Sequence, residues 1–295
     1  MAALAPPPKE LIELKEISLG PLKDIYIERG GVRLHGLDHG GAEGPVILLL
    51  HGAVAHARWW DAVSPGLAGL GRPVAIDLRG HGESDWSDDY GYEAFTGDLE
   101  AWIRWAESEG GGPPGLVAHS FGGGTALKLH ELSPPDLRFL VLVDVPIELS
   151  ERILVPMRKM AARSSRPWAS RELFVEKFHV VPAGENAAPE LLAHIARHSV
   201  RPLDDGTWTL KADKSFHKNR KVTDFRPGWM RVASPAMLVV GGKSDRLTAE
   251  DLDWLRTRRQ DVRIETIPGA YHHVQLDEPE AFLTLTLDFL SSILS

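Results

Sequence analysis

Hydrophobic and polar positions along the chain divide it into short strand-like runs separated by amphipathic stretches. The strand-like runs are VILLL (46–50), VAID (74–77), GLVAH (115–119), FLVLVD (139–144), MLVVGG (237–242) and VRIETI (262–267). Continuous apolar runs of this length are typical of strands that are buried on both faces of a sheet. Stretches such as DLEAWIRWAESE (98–109) have helical character instead. Strands that alternate with helices predict right-handed βαβ units and a mainly parallel sheet.

The beginning of the pattern differs from the rest. IYIERGGVRLHGLDHG, which starts at Ile25, contains two β-rich runs joined at Gly30 and Gly31. Two such runs around a glycine pair predict a hairpin. We therefore expect antiparallel strands at one edge of the sheet.

A long interruption separates the fourth apolar run from the fifth. Residues 146–234 lack long apolar strands and carry 16 basic and 10 acidic side chains. A separate domain in tandem is one interpretation, but the sheet pattern resumes after the interruption, which favours an insertion over one end of the sheet. The predicted organisation is an N-terminal extension (1–24), a core (25–145 and 235–295) and a helical insertion (146–234).

Composition narrows the class of protein. Of 295 residues, 43% are hydrophobic and 25% are charged, which is usual for a globular protein, and the net charge of −8 disfavours nucleic acid as a partner. Without cysteine the chain has no disulfide, thiolate nucleophile or cysteine-ligated metal. It has no basic leader and no run of about 18 apolar residues that would span a membrane. We expect a cytoplasmic protein without a membrane partner and leave its oligomeric state open.

Ser120 is the first candidate for chemistry. It stands in GLVAHSFGGGTA, between a buried-type strand and a helix-like segment. That context is the one that a nucleophile elbow requires, with small residues two positions before and after the serine. These positions are Ala118 and Gly122. The alternative is that Ser120 caps the helix after a glycine-rich turn.

A serine nucleophile needs a base and an acid that orients the base. His272 and His273 compete for the first role in PGAYHHVQLDEPEAF (268–282), a loop on the same side of the sheet as Ser120. Asp245, four residues past a buried-type strand, is our choice for the acid, and Asp144 at the end of the preceding strand is its rival. The histidine pair has no third ligand at a recognisable spacing, so we expect neither a metal site nor a cofactor.

An oxyanion hole requires two backbone N–H donors. Phe121, immediately after the serine, is expected to supply one of them. Ala53, in the loop HGAVAHARWW after VILLL, is expected to supply the other, and Val54 replaces it if the turn is shifted by one residue.

Together these motifs resemble the α/β-hydrolase superfamily, in its capped branch of esterases, C–C hydrolases and epoxide hydrolases. HGAVAHARWWDAV resembles the family's HG-x(7)-W segment, AIDLRGHGESD its D-x-R-G-x-G-x-S loop, VAHSFGGG its elbow, VVGGKSD its acid loop and PGAYHHVQLDEPEAF its histidine loop. The resemblance implies an eight-stranded, doubly wound, mostly parallel sheet, with 146–234 as a cap over the active site. It favours His272 over His273 and Asp245 over Asp144. Because dehalogenases and epoxide hydrolases of this branch use an aspartate nucleophile, Ser120 makes those activities less expected.

The sequence therefore predicts a serine hydrolase of a small-molecule carboxylic ester or lactone, acting through an acyl-enzyme. A C–C bond hydrolase of a diketone-like acid is the alternative within the family, since the same triad and cap serve both. A non-catalytic ligand-binding protein on this fold is the alternative of another class, because fold alone does not determine function.

Overall fold

The computed structural model describes residues 22–162, 166–182, 186–217 and 220–294. Its strands are β1 (Lys23–Arg29), β2 (Val32–Asp38), β3 (Val46–Leu50), β4 (Arg72–Ile76), β5 (Gly115–His119), β6 (Phe139–Val143), β7 (Glu148–Leu149), β8 (Val200–Pro202), β9 (Trp208–Leu210), β10 (Thr223–Asp224), β11 (Ala236–Gly241) and β12 (Arg263–Ile267).

Eight of these strands form one sheet in the order β1-β2-β4-β3-β5-β6-β11-β12. The β2 strand runs antiparallel to both β1 and β4, and the pairs from β4 to β12 are parallel. The predicted α/β fold with an eight-stranded, mostly parallel sheet and an antiparallel hairpin at one edge is confirmed. Parallel neighbours end at the same edge of a sheet, so the residues that follow β5, β6 and β12 come close together there.

The helices are α1 (Ser64–Leu67), α2 (Tyr92–Ser108), α3 (Phe121–Leu132), α4 (Glu151–Ala162), α5 (Arg171–Lys177), α6 (Pro189–His198), α7 (Arg226–Trp229), α8 (Ala249–Arg258), α9 (Val274–Asp277) and α10 (Pro279–Leu294). Helices such as α2 and α10 cover the two faces of the sheet, and others lie in the segment between β6 and β11. Short 3-10 turns occupy Ala57–Trp60 and Lys214–His217.

Alternate residues of the central strands supply two separate hydrophobic cores. Leu48 and Leu50 of β3 face the core that contains Trp102 of α2, whereas Ile47 and Leu49 face the core that contains Phe282 of α10. A strand that is buried on both faces has no residue facing solvent, which explains the continuous apolar runs of the sequence. The sheet is thereby held rigidly between two helical layers.

The described elements between β6 and β11 lie outside the eight-stranded sheet. Some of their apolar side chains, including Leu191 and Ile195 of α6, pack against Trp59 in the loop after β3 and Leu276 of α9. The segment therefore contacts two of the loops that carry candidate site residues. The organisation into extension, core and cap stays a prediction, and most of the predicted extension (1–24) lies outside the described residues.

No helix in the described part of the chain is long and apolar enough to cross a membrane.

Candidate active site

Ser120 occupies a sharp turn between β5 and α3. Its backbone has φ 50° and ψ −116°, in a region that non-glycine residues rarely adopt, and its N–H donates to the carbonyl of Val143 over 3.0 Å. A Cβ at Gly122 would lie 2.5 Å from the carbonyl oxygen of His51, so only glycine lets α3 begin this close to β3. The close approach at Gly122 is thus a steric requirement of the turn predicted from GLVAHSFGGGTA.

His272 brings its imidazole against that serine. Its Nε2 lies 2.9 Å from Ser120 Oγ, and its Nδ1 lies 2.6 Å from Oδ2 of Asp144. A carboxylate can only accept, so Nδ1 carries the proton and donates it to Asp144. In the neutral imidazole this leaves Nε2 as an acceptor for the hydroxyl proton of Ser120. The structure thus unites two of the predicted site residues, with His272 rather than His273 at the serine.

The acid in this contact is Asp144, and our choice of Asp245 is corrected. Asp144 follows β6, the strand that pairs directly with β5, and its carboxylate is fully buried. Its Oδ1 accepts from the N–H of Gly241 over 3.1 Å and its Oδ2 accepts from the hydroxyl of Ser244. These two donors hold the carboxylate in place against His272.

Asp245 lies one residue beyond Ser244 and its side chain is 68% exposed. Its carboxylate accepts from Nε of Arg246 over 2.8 Å and pairs with Arg152 at 3.5 Å. The loop after β11 therefore directs Ser244 inward to Asp144, while Asp245 points towards cations near the surface.

The expected oxyanion donors lie beside the serine. Phe121 is the first residue of α3, where backbone N–H groups have no partner within the helix, and it borders the same cavity as Ser120. Ala53 and Val54 border that cavity from the loop after β3, and Val54 has a φ of 59°. Phe121 with Ala53 stays our prediction, and Val54 stays its alternative.

Three buried histidines meet at the site, and sequence spacing did not reveal the third. Nitrogen atoms of His119, His272 and His273 all lie within 4.8 Å of one another. Burial lowers the pKa values of His119 and His273 well below the ordinary value of histidine, so both rings are neutral. His119 donates from Nε2 to the carbonyl of His272 over 3.0 Å and so supports the histidine loop. The cluster could hold a metal ion only if His272 gave up its contact with Ser120 or Asp144.

A cavity of about 360 Å³ opens in front of the serine. Apolar side chains from both the core and the segment 146–234 line most of it, among them Trp59, Phe121, Phe174 and Val180. Of the described Asp and Glu residues, none lines this cavity, whereas the cations Lys177, Arg220 and Arg246 do. The space in front of Ser120 is mostly apolar, and the Lys and Arg side chains that line it are cations.

Comparisons with known proteins agree with this fold. The sequence profile of the Alpha/beta hydrolase family matches residues 47–285. Esterase Rv0045c of Mycobacterium tuberculosis is 29% identical over 283 residues, which cover 92% of this chain and 91% of the esterase. N-formylmaleamate deformylase of Pseudomonas putida is 26% identical over 275 residues, which cover 90% and 95% of the two chains. The crystal structure of E-2-(acetamidomethylene)succinate hydrolase has the same fold, with a TM-score of 0.80 at 22% identity over 92% of this chain and all of its own.

Proposed function

This chain belongs to the alpha/beta hydrolase family and is a hydrolase, and we propose that it cleaves a small-molecule carboxylic ester or lactone through an acyl-enzyme formed on Ser120. The observation that carries the proposal is the unbroken contact from Ser120 through His272 to a buried carboxylate, at 2.9 and 2.6 Å, beside an apolar cavity. The esterase named among the relatives supports the class of bond.

The proposed reaction begins at the serine hydroxyl. Ser120 Oγ attacks the substrate carbonyl while His272 Nε2 accepts its proton, and Asp144 stabilises the imidazolium through the bond to Nδ1. The negative charge that develops on the carbonyl oxygen is held by the N–H of Phe121 and, on our prediction, of Ala53. His272 then protonates the leaving alcohol, and a water molecule, deprotonated by the same nitrogen, hydrolyses the acyl-enzyme.

The segment 146–234 would act as the cap in this scheme. Its Phe174 and Val180 line the cavity, so the segment would restrict the size of the acyl group and keep bulk water away from the ester. In this scheme the cavity binds the small-molecule substrate, and the side chains and backbone of the chain supply all the catalytic groups.

Two measurements test the proposal on the purified protein. We expect a fluorophosphonate probe to label the wild type and not Ser120→Ala. We also expect the rate at which 4-nitrophenyl acyl esters and lactones are hydrolysed to fall by about 10⁴-fold or more in that variant. Thermal unfolding of both proteins controls for folding, since the substitution removes only one hydroxyl.

The alternatives give different results in the same assays. A folded wild type that is not labelled and hydrolyses nothing would fit a ligand-binding protein. Turnover of a ring-cleavage dienoate with no turnover of esters or lactones would fit a C–C hydrolase. Retained ester hydrolysis in Ser120→Ala would overturn the assignment of the nucleophile.

A further inference from the structure

Arg220 is a buried cation that has no carboxylate partner among the described residues. The described residues include three buried arginines, of which Arg79 pairs with Asp98 at 2.6 Å and Arg259 pairs with Asp261 at 2.6 Å. Arg220 is only 5% exposed, yet no carboxylate oxygen of the described chain lies within 4.0 Å of its guanidinium. Buried charges are normally paired, so the unpaired one among the three is the exception that needs an explanation.

The groups around Arg220 order its guanidinium without neutralising it. Nε donates to the carbonyl of Phe216 over 3.2 Å and Nη2 donates to the carbonyl of Tyr90 over 2.8 Å. The Cζ atom lies 4.2 Å from the ring centroid of Phe216 and 4.3 Å from that of Phe121. Such cation–π contacts recover part of the cost of burial, but they leave a full positive charge in place.

That charge is present at neutral pH. Desolvation by burial lowers the pKa of Arg220 to about 10. The guanidinium therefore remains protonated at neutral pH. The lowered pKa reflects the loss of hydration that the charge suffers in its apolar surroundings.

The position of Arg220 connects it with the reaction. It lines the cavity in front of Ser120, and one of the rings that it contacts belongs to Phe121, the residue directly after the nucleophile. The other two cations of the cavity already have carboxylates, since Arg246 pairs with Asp245 and Lys177 with Glu176, each at 2.7 Å. Among the described Lys and Arg residues of the cavity, Arg220 is thus the buried and unneutralised partner that an anionic ligand would find.

We propose that the substrate carries a carboxylate that pairs with Arg220 while Ser120 attacks an acyl carbonyl elsewhere in the same molecule. This rests on the proposed hydrolase function and adds the class of substrate. A planar guanidinium binds a carboxylate with charge-assisted hydrogen bonds, and in an apolar, water-poor cavity such a pair is much stronger than at a surface. The carbonyl and aromatic contacts hold the guanidinium ready before the substrate arrives.

A purely structural role would give a different result. Arg220 connects the insertion to the core through Tyr90, and its own carbonyl accepts from Arg158 Nη2 over 2.6 Å. If it only held these parts together, its replacement would impair all substrates equally. An anchor for a carboxylate impairs anionic substrates selectively, which defines the experiment.

The test compares two esters of equal acyl length, mono-4-nitrophenyl adipate with a free carboxylate and 4-nitrophenyl hexanoate without one. The wild type should prefer the adipate. In Arg220→Gln we expect kcat/KM for the adipate to fall by about 30-fold or more, mainly through KM, while the hexanoate changes by about threefold or less. Arg220→Lys, which keeps the charge, should retain part of the preference. Arg246→Gln is the matched control and should lower the preference far less, because Asp245 already neutralises that cation.

Equal losses for both esters in Arg220→Gln, or a wild type without preference, would overturn the proposal. If Arg220→Gln does not fold, the wild type alone decides: free hexanoate should protect Ser120 from fluorophosphonate labelling better than hexanamide, and equal protection contradicts the anchor. Failure of the hydrolase function is recognised separately, because the wild type would then neither be labelled nor cleave either ester.

Discussion

Asp144 and His272 are 128 positions apart in the chain, and their side chains meet with 2.6 Å between Oδ2 and Nδ1. The strands β5, β6, β11 and β12 are consecutive parallel neighbours, so Ser120 after β5, Asp144 after β6 and His272 after β12 reach the same edge of the sheet. Ser120 and Asp144 have positive φ, at 50° and 48°, and both side chains are thereby directed towards the histidine loop. The parallel sheet brings the loops that carry the candidate catalytic groups to one edge.

The first prediction concerns the two aspartates. Asp144→Asn should lower kcat by about 10⁴-fold, because an amide no longer fixes His272 in the tautomer that accepts the serine proton. Asp245→Asn should change kcat by about threefold or less, since that carboxylate is exposed and pairs with Arg246. Steady-state hydrolysis of a 4-nitrophenyl ester measures both.

Asp144 also accepts from the N–H of Gly241, so the unfolding midpoint of each variant is needed as a control. A severe loss in a folded Asp245→Asn with a mild one in Asp144→Asn would restore the choice made from the sequence.

The second prediction tests the steric origin of the elbow. A methyl at Gly122 would lie 2.5 Å from the carbonyl oxygen of His51 and 2.8 Å from Cγ of Leu50, so α3 must move and Ser120 with it. Gly122→Ala should lower kcat/KM by about 10²-fold and the free energy of unfolding by about 1–3 kcal/mol. Gly69→Ala is the control, because a Cβ there meets no atom within 4 Å. Wild-type kinetics in Gly122→Ala would show that the close approach is not required.

Much of this arrangement can be predicted from the sequence. The central strands are continuous apolar runs because helices cover both faces of the sheet. This pattern distinguishes a buried parallel sheet from an antiparallel sheet with one exposed face, whose strands alternate between apolar and polar residues. Ser120 and the histidine loop can be found because small residues around each of them permit a turn at the strand end.

The acid could not be chosen from the sequence because both Asp144 and Asp245 follow buried strands. Which one turns inward depends on backbone angles, and the φ of 48° at Asp144 has no sequence signal in a non-glycine residue. Arg220 was missed for a similar reason. It is one of 16 basic residues between 146 and 234, and its burial depends on aromatic rings that come mainly from the core.

The third prediction concerns stability in acid. Burial lowers the pKa of His81 to about 3, below the value of 6.5 in the unfolded chain. The unfolded state therefore binds the proton first, so this contribution to stability is complete above pH 6.5 and is lost as the pH falls towards 3. His81→Asn removes the titration and keeps a donor near the carbonyl of Arg79, which His81 Nδ1 contacts at 3.0 Å.

Urea unfolding at a series of pH values between 8 and 5.5 measures this effect as the difference between wild type and His81→Asn. Below pH 6.5 the wild type should lose about 1.4 kcal/mol per pH unit relative to the variant. Taking the difference between the two proteins at each pH removes the contributions of the groups that titrate alike in both. Parallel stability curves would mean that His81 is protonated in the folded protein.

The last prediction concerns metal ions at the histidine cluster. His272 uses both ring nitrogens, for Ser120 and Asp144, so EDTA treatment should leave ester hydrolysis unchanged. Excess Zn²⁺ should inhibit, because the three ring nitrogens lie within 4.8 Å of one another and need only a small shift to reach Zn–N distances of about 2.1 Å. A Zn²⁺ ion bound to Nε2 of His272 would prevent that nitrogen from accepting the proton of Ser120.

His119→Asn should raise the Zn²⁺ concentration for half inhibition by about tenfold, while the fluorophosphonate, an unrelated inhibitor, still reacts with Ser120. Equal Zn²⁺ sensitivity in this variant would place the inhibitory ion elsewhere, and loss of activity in EDTA would contradict a metal-free mechanism.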